Sequence, residues 1–251
     1  MSPRILASTT RRILAQLRHD HRTVALLVVV PVLLLTLIYF MFANQSTPPG
    51  QPSTFDRIGL VMLGVFPFTI MFLITSIAML RERTTGTLER LLTTPLAKVD
   101  LLFGYGIAFG LAAAVQASVA AGVAYWLFGL ETAGGLGLVV LIAVANAVLG
   151  VALGLLCSAF ARTEFQAVQF MPIVVLPQVL LCGLFVARDE MAGWLQALSN
   201  VLPMTYAVEA LQEVGAHPHA TATMWKDLGI VLGCVVLALV LAAATLRRRT
   251  A

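Results

Sequence analysis

The chain has 251 residues, of which 59% are hydrophobic and only 11% charged, with a mean hydropathy of +0.93. Soluble domains carry about 25% charged residues, so 16 basic and 12 acidic side chains cannot coat a water-soluble surface of this size. That excludes a soluble enzyme, and the high hydropathy excludes a disordered chain. The net charge of +4 would favour nucleic acid only if the basic groups formed a patch.

Residues 1–22 are too polar to cross a bilayer. Leu6, Ile13, Leu14 and Leu17 fall on one helical face, and Arg4, Arg11, Arg18 and Arg22 on another. This is the pattern of a basic amphipathic helix lying in the membrane interface, either an anchor for the first span or a lever joined to it. His19-Asp20-His21 reads as a solvated turn. A bilayer core of about 30 Å needs about 20 apolar residues to cross it. Six runs qualify: 23–43, 57–80, 101–128, 137–160, 167–187 and 224–246. The first is too long for a signal-peptide core and no cleavage site follows it, so the N-terminus is expected to be retained.

Between the first two runs, residues 44–56 hold three Pro and one Gly and read as a loop. After the second run, residues 81–100 form a polar segment. Within it Leu88, Leu91 and Leu92 share one helical face, Gly86 permits a sharp entry and Pro95 ends the helix. The expected product is a short helical knob, either a solvated connector or a docking surface. Residues 188–223 repeat apolar positions at helical spacing, interrupted at Pro203, in pieces too short to span. They read as two re-entrant helices, with Trp194 and Tyr206 suited to the interface and the turn at 200–205 covered by protein.

The basic residues sort by loop. With the N-terminus inside, 13 of the 16 lie on the cytoplasmic side, and only Arg57, Arg188 and Lys226 lie outside. The positive-inside rule therefore orients both termini to the cytoplasm. The basic charge belongs to a membrane face, and no nucleic-acid partner is expected. Fourteen of the 16 are Arg, which with the Ala, Val, Leu and Gly richness hints at a bacterial source. The expected fold is thus an all-α membrane protein with six transmembrane helices, multi-pass in a bacterial plasma membrane.

Chemical motifs are sparse. There is no GxxxxGK[ST] loop, no His-Glu-x-x-His and no Gly-x-Ser-x-Gly, so neither catalysis nor a metal or cofactor on this chain is expected. Cys157, Cys182 and Cys234 lie far apart in apolar runs and read as unpaired thiols. Charge is nearly missing from the span interiors, which argues against an ion-driven pump. Mild polarity remains at Thr69, Thr75, Ser76, Gln116, Asn146, Gln166, Gln169 and Gln178, with Pro172 and Pro177 expected to kink the fifth run. That run suits a path lining or subunit seam, or glutamines satisfied inside one bundle. Gly106/Gly110 and Gly150/Gly154 allow close helix packing, most simply within one bundle.

The chain resembles the membrane subunits of ATP-binding-cassette (ABC) exporters, the ABC type-2 permease family, over nearly its whole length. One stretch, Arg81-Glu82-Arg83-Thr84-Thr85-Gly86-Thr87-Leu88-Glu89-Arg90-Leu91-Leu92-Thr93-Thr94-Pro95-Leu96, is similar to the family's coupling-helix segment. The other, Gly183 to Leu211, with Trp194-Leu195-Gln196 and Pro203-Met204-Thr205-Tyr206, is similar to its extracellular re-entrant region. It departs at Ala187 and Ala192, where the family often has Pro nearby, and at Gln212, where it often has Arg. The resemblance implies a dimer with a second copy or a homologous permease, docked on a separate ABC ATPase that carries the ATP and Mg. It further implies that the N-terminal and coupling helices sit on that ATPase, that the first, second and fifth spans open a path between the halves, and that the re-entrant helices around Trp194, Pro203 and Tyr206 gate its outer end. The expected function is efflux of a lipophilic or amphipathic compound such as a drug, antibiotic or lipid. The alternatives are a non-transporting scaffold or immunity protein of the same family, or a polysaccharide or lipid-carrier exporter.

Overall fold

The computed structural model describes residues 3–45, 51–84 and 98–245. Among them are nine α-helices and one short 3₁₀ helix, Arg188–Glu190. The helices are α1 (Pro3–His19), α2 (His21–Phe42), α3 (Thr54–Thr84), α4 (Lys98–Trp126), α5 (Leu136–Ser158), α6 (Glu164–Leu181), α7 (Gly193–Ser199), α8 (Pro203–Ala216) and α9 (Ala222–Thr245). Six of them, α2 to α6 and α9, are long and apolar enough to cross a membrane, which makes this a multi-pass membrane protein.

Local sequence explains where these helices begin. Asp20 caps α2 by accepting the Thr23 N–H at 3.1 Å and its hydroxyl at 2.6 Å. Ser53 and Asp56 cap α3 reciprocally: the Asp56 N–H donates to Ser53 Oγ and the Ser53 N–H to Asp56 Oδ2, both at 3.0 Å. Thr163 accepts the Gln166 N–H at 3.2 Å to start α6. That helix then runs unbroken through Pro172 and Pro177 and stops at Leu181. Hydropathy alone extends this span to 187, but the helix ends at Leu181 and Gly183, at φ +89°, turns the chain away.

Helices α3 and α5 form the centre. Two-thirds (67%) of the most apolar stretch of α3 is buried, against 17% for α2 and α6. The α3–α5 seam is made by residues four apart on α5. Asn146 donates its side-chain amide to the Gly64 carbonyl at 3.0 Å. A Cβ on Gly154 would lie 2.5 Å from the Phe72 carbonyl oxygen, and one on Gly150 would overlap the Phe68 carbonyl. Backbone therefore touches backbone along this seam. By contrast Gly106 and Gly110 face Leu239 and Val148 at ordinary contact distances, 3.6 and 3.7 Å. Helix α8 closes one end of the bundle, with Met204, Ala207, Val208, Ala210 and Leu211 fully buried in the main core.

At about 1.5 Å per residue, the 31 residues of α3 exceed the hydrocarbon thickness. Its two ends consequently project beyond it, carrying Asp56 at one and Arg81, Glu82 and Arg83 at the other. The Arg-rich end also holds α1, the end of α5 and the start of α6. The opposite end holds α7 and α8.

Candidate functional site

The Arg-rich end is organised by the last turn of α3. Arg81 grips Glu164 at the start of α6 with two bonds, Nε to Oε1 at 2.7 Å and Nη2 to Oε2 at 3.0 Å. Glu82 meets Arg12 of α1 at 3.5 Å. Arg12 in turn donates to the Tyr105 hydroxyl on α4 at 3.3 Å. Arg83 donates to the Ser158 carbonyl at the end of α5. Three consecutive residues thus tie α3 to α6, to α1 with α4, and to α5. Arg81, Glu82 and Arg83, the start of the expected coupling segment, are engaged with their own chain, and Thr84 bonds back to the Leu80 carbonyl at 3.1 Å. The remaining residues of that reading, Thr85, Gly86, Thr87, Leu88, Glu89, Leu91, Leu92, Thr94 and Pro95, lie outside the described residues.

Helix α1 lies against α4 through its apolar face. Ile13 is buried, and Leu14 and Leu17 pack beside it against a cluster that includes Leu101, Leu102, Tyr105 and Phe109. Leu6 is half-buried, Thr9 is buried, and Arg11 and Arg18 are exposed. A Cβ on Gly104 would lie 2.7 Å from the Thr9 methyl, so that glycine sets how closely α1 approaches. The side chain of Arg4 lies outside the described residues. Sequence reasoning missed Arg12. On a helical wheel it stands apart from Arg4, Arg11, Arg18 and Arg22, on the other flank of the apolar face, and that isolation was the available signal.

At the α1–α2 joint, the hydrogen bond from the Thr23 hydroxyl, then that from its N–H, hold the Asp20 carboxyl below the usual carboxylate range, with a smaller contribution from Arg81. The lowered value makes the cap's contribution complete above the ordinary aspartate pKa of about 3.9 and lost as pH falls through the lowered value. Amide exchange at Thr23 is expected to accelerate in acid beyond its intrinsic pH dependence, and Asp20→Asn, which caps without titrating, is expected to remove that acceleration. The same acid response in both proteins would refute the cap.

The residues read as a path do not converge. Thr69 bonds back to Val65 O at 2.8 Å, and Thr75 is wholly buried with no partner for its hydroxyl. Gln166 accepts the Arg162 N–H at 2.8 Å and completes the start of α6. It shares a cavity of about 330 Å³ with Gln169. Pro172 lies on the same exposed side of α6 and Pro177 is half-buried. Gln178 is buried, donating to Val174 O at 3.0 Å and accepting the Met204 N–H at 3.3 Å. It therefore supplies a partner for one of the orphan N–H groups at the start of α8.

At the other end, Arg188 bridges Glu209 on α8 and the side chain of Asn200 after α7. The Tyr206 hydroxyl donates to Asn200 O at 2.7 Å, Thr205 to Ser199 O at 3.0 Å, and Ser199 to Leu181 O at 2.8 Å. Pro203 opens α8, and Trp194 is 71% exposed. In the turn between α7 and α8 the N–H groups of Asn200, Val201 and Leu202 are satisfied by backbone carbonyls, and the hydroxyls of Thr205 and Tyr206 take up the carbonyls of Ser199 and Asn200. Beside Arg188 is a cavity of about 960 Å³ that includes Asp56, Glu131 and Glu209 in its lining. Arg188→Ala removes two of these ties at once. It is expected to speed amide exchange in α7 and the following turn at least tenfold while leaving α3 and α5 unchanged; unchanged exchange in α7 would show that the bridge holds nothing. Sequence reasoning also missed Asp227, which is buried (2% exposed) in α9 with Oδ2 unpartnered. A lone carboxylate in an apolar run was its signal.

The model of the ABC-2 type transporter family matches residues 3–214. That interval covers α1 through most of α8, including the three ties of α3 and the α7–α8 closure, and the chain belongs to this family. It is similar to ABC transporter G family member 20 of Dictyostelium discoideum, 26% identical over 207 residues, covering 80% of this chain and 28% of that protein. It is also similar to the Escherichia coli (strain K12) protein named "Probable multidrug ABC transporter permease YbhR", 27% identical over 158 residues, 63% of this chain and 43% of that one. The daunorubicin resistance ABC transporter permease protein DrrB1 of Streptomyces coeruleorubidus is 39% identical over 77 residues, 31% of this chain and 25% of that one. The chain spans less than half the length of these relatives.

Proposed function

We propose that this chain is the permease subunit of an ATP-driven exporter that moves a lipophilic or amphipathic compound out across a bacterial plasma membrane. Family membership supports a separate ATP-binding partner, and the names of two relatives, multidrug and daunorubicin resistance permeases, support the substrate class. The Arg-rich end is the cytoplasmic end in this reading, by the positive-inside rule.

One observation carries the mechanism: the last turn of α3, next to the coupling segment, is tied by Arg81, Glu82 and Arg83 to α6, α1 and α5. A push on that segment by the ATPase would reach three further helices without passing through flexible loops. Helices α2 and α6 would then move against a second permease copy, because they are the least buried of the six spans and expose Leu33, Leu37, Phe165, Ile173 and Leu176. Helices α7 and α8 would form the re-entrant outer gate, released when the Arg188 bridge opens. Co-purification with an ABC ATPase tests the partner claim, and cross-linking of cysteines placed at Leu176 in two copies tests the seam. A chain that purifies alone, as a monomer, from cells producing the ATPase would contradict both.

A further inference from the structure

Asp227 stands in the second turn of α9, on the buried stripe that it shares with Met224, Leu228 and Val231. It is 2% exposed, and its Oδ2 accepts no hydrogen bond. The charges that act on it are, largest first, Glu209 of α8, its neighbour Lys226, Arg188 of the 3₁₀ helix and Glu213 of α8. Lys226 is exposed. Both acids of α8 are already in use. Glu213 accepts the Thr221 hydroxyl at 2.7 Å and lies 3.5 Å from His217, and Glu209 holds Arg188.

Arg188 is itself incompletely satisfied. Its Nη1 donates to Glu209 and its Nη2 to Asn200, but its Nε is buried without an acceptor. A buried acceptor and a buried donor therefore stand unpaired within electrostatic reach of each other. Each is costly on its own, and a network built for one fixed structure satisfies such groups. The two acids available to Arg188 also differ in surroundings. The Glu209 side chain is 40% exposed and can be left to water, whereas Asp227 is buried and can be satisfied only by protein. Arg188 sits on a helix of three residues flanked by the extended residue Met191, not on a long helix of the bundle. Its guanidinium can thus move without moving a span.

We infer that Arg188 has two acceptors and that Asp227 is the second: the guanidinium rests on Glu209 and Asn200 while the α7–α8 turn is closed, and passes to Asp227 on α9 when that turn opens. This rests on the reading of α7 and α8 as the outer gate of an exporter. The handover lets Asn200 go without leaving a buried charge alone, which is the large cost of breaking a buried pair. Asp227 is a positioning residue here, acting through Arg188.

The test uses the full chain in nanodiscs with isotope-labelled arginine, the Arg188 Nε–H signal being assigned by its loss in Arg188→Lys. Glu209→Ala removes the first acceptor. In that variant the Nε–H is expected to exchange with solvent at least fivefold more slowly than when Asp227→Leu is added, and Asp227→Glu in place of Leu is expected to keep the protection. Asp227→Leu alone is expected to melt no lower than the unaltered protein, because it replaces a carboxyl that has no partner in the closed state. Equal exchange with and without Asp227, or a lowered melting temperature in Asp227→Leu alone, overturns the handover. ATP-driven transport of a lipophilic dye into inverted vesicles, with the ATPase present, separates this claim from the exporter reading. Asp227→Leu is expected to cut that transport at least threefold with the complex intact, and Asp227→Glu to restore it. Transport undiminished by Asp227→Leu removes the handover and keeps the exporter. Protection of the Nε–H that depends on Asp227, with no transport by the unaltered protein, supports the second acceptor and removes the exporter.

Discussion

Gly150→Val is expected to prevent the accumulation of folded protein. The position lies against the Phe68 carbonyl, and backbone cannot rotate away as a side chain can. Overpacking a filled core costs about 1–3 kcal/mol even where side chains can adjust. Here α3 and α5 must separate, which also strains the Asn146 bond to Gly64 one turn away and leaves a buried amide unsatisfied. A loss on the order of 4 kcal/mol is a large share of the 5–15 kcal/mol that holds a typical domain together. Gly233→Ala on α9 is the matched control, because nothing lies within 4 Å of a Cβ there; it is expected to be neutral or slightly stabilising. Melting and gel filtration in detergent distinguish the two. A monodisperse Gly150→Val protein with an unchanged melting temperature would mean that the α3–α5 seam is not the packing centre.

Reversing either charge of the Arg12–Glu82 pair is expected to cut ATP-driven transport at least tenfold while leaving the protein folded. Glu82 is largely buried, so Arg12→Glu places two carboxylates together next to Tyr105, and Glu82→Arg does the same with two guanidinium groups. Losing a partner of a partly buried pair costs roughly 2 kcal/mol after allowing for solvent. That is enough to lift α1 from the α3–α4 corner without unfolding a bundle centred on α3 and α5. The double exchange, Arg12→Glu with Glu82→Arg, is expected to recover a substantial part of transport, because the pair is restored and the Tyr105 hydroxyl can donate as well as accept. Single variants with full transport would show that α1 does not move with α3. A double variant no better than either single would show that the residues act separately.

Much of the architecture was legible because a bilayer forces long apolar runs to be helices. All six runs are helical, with ends within about four residues of the expected positions except in the fifth. That exception came from reading hydropathy alone: residues 182–187 stay apolar, but the left-handed turn at Gly183 is a backbone property. The small-residue pairs were legible only as candidates. Their spacing is identical, yet Gly150 and Gly154 touch backbone and Gly106 and Gly110 do not, because tertiary placement decides which small face meets a helix.

The site was less legible than the fold. Polarity in a span suggested a path, but Gln166 and Gln178 are occupied in starting helices, one its own and one α8. A glutamine that caps and a glutamine that lines a channel look alike in sequence. The Arg81–Arg83 turn was noticed for its charge, while its three separate partners, 83, 70 and 75 positions away along the chain, could not be read from local spacing.

The most direct test of the account is ATP-dependent uptake of a lipophilic dye into inverted vesicles containing this chain and an ABC ATPase that co-purifies with it. The account predicts accumulation that requires ATP hydrolysis and is lost when either the ATPase or this chain is omitted. An assembled complex that hydrolyses ATP but accumulates none of several lipophilic dyes or amphiphiles would contradict it and identify a non-transporting membrane scaffold instead.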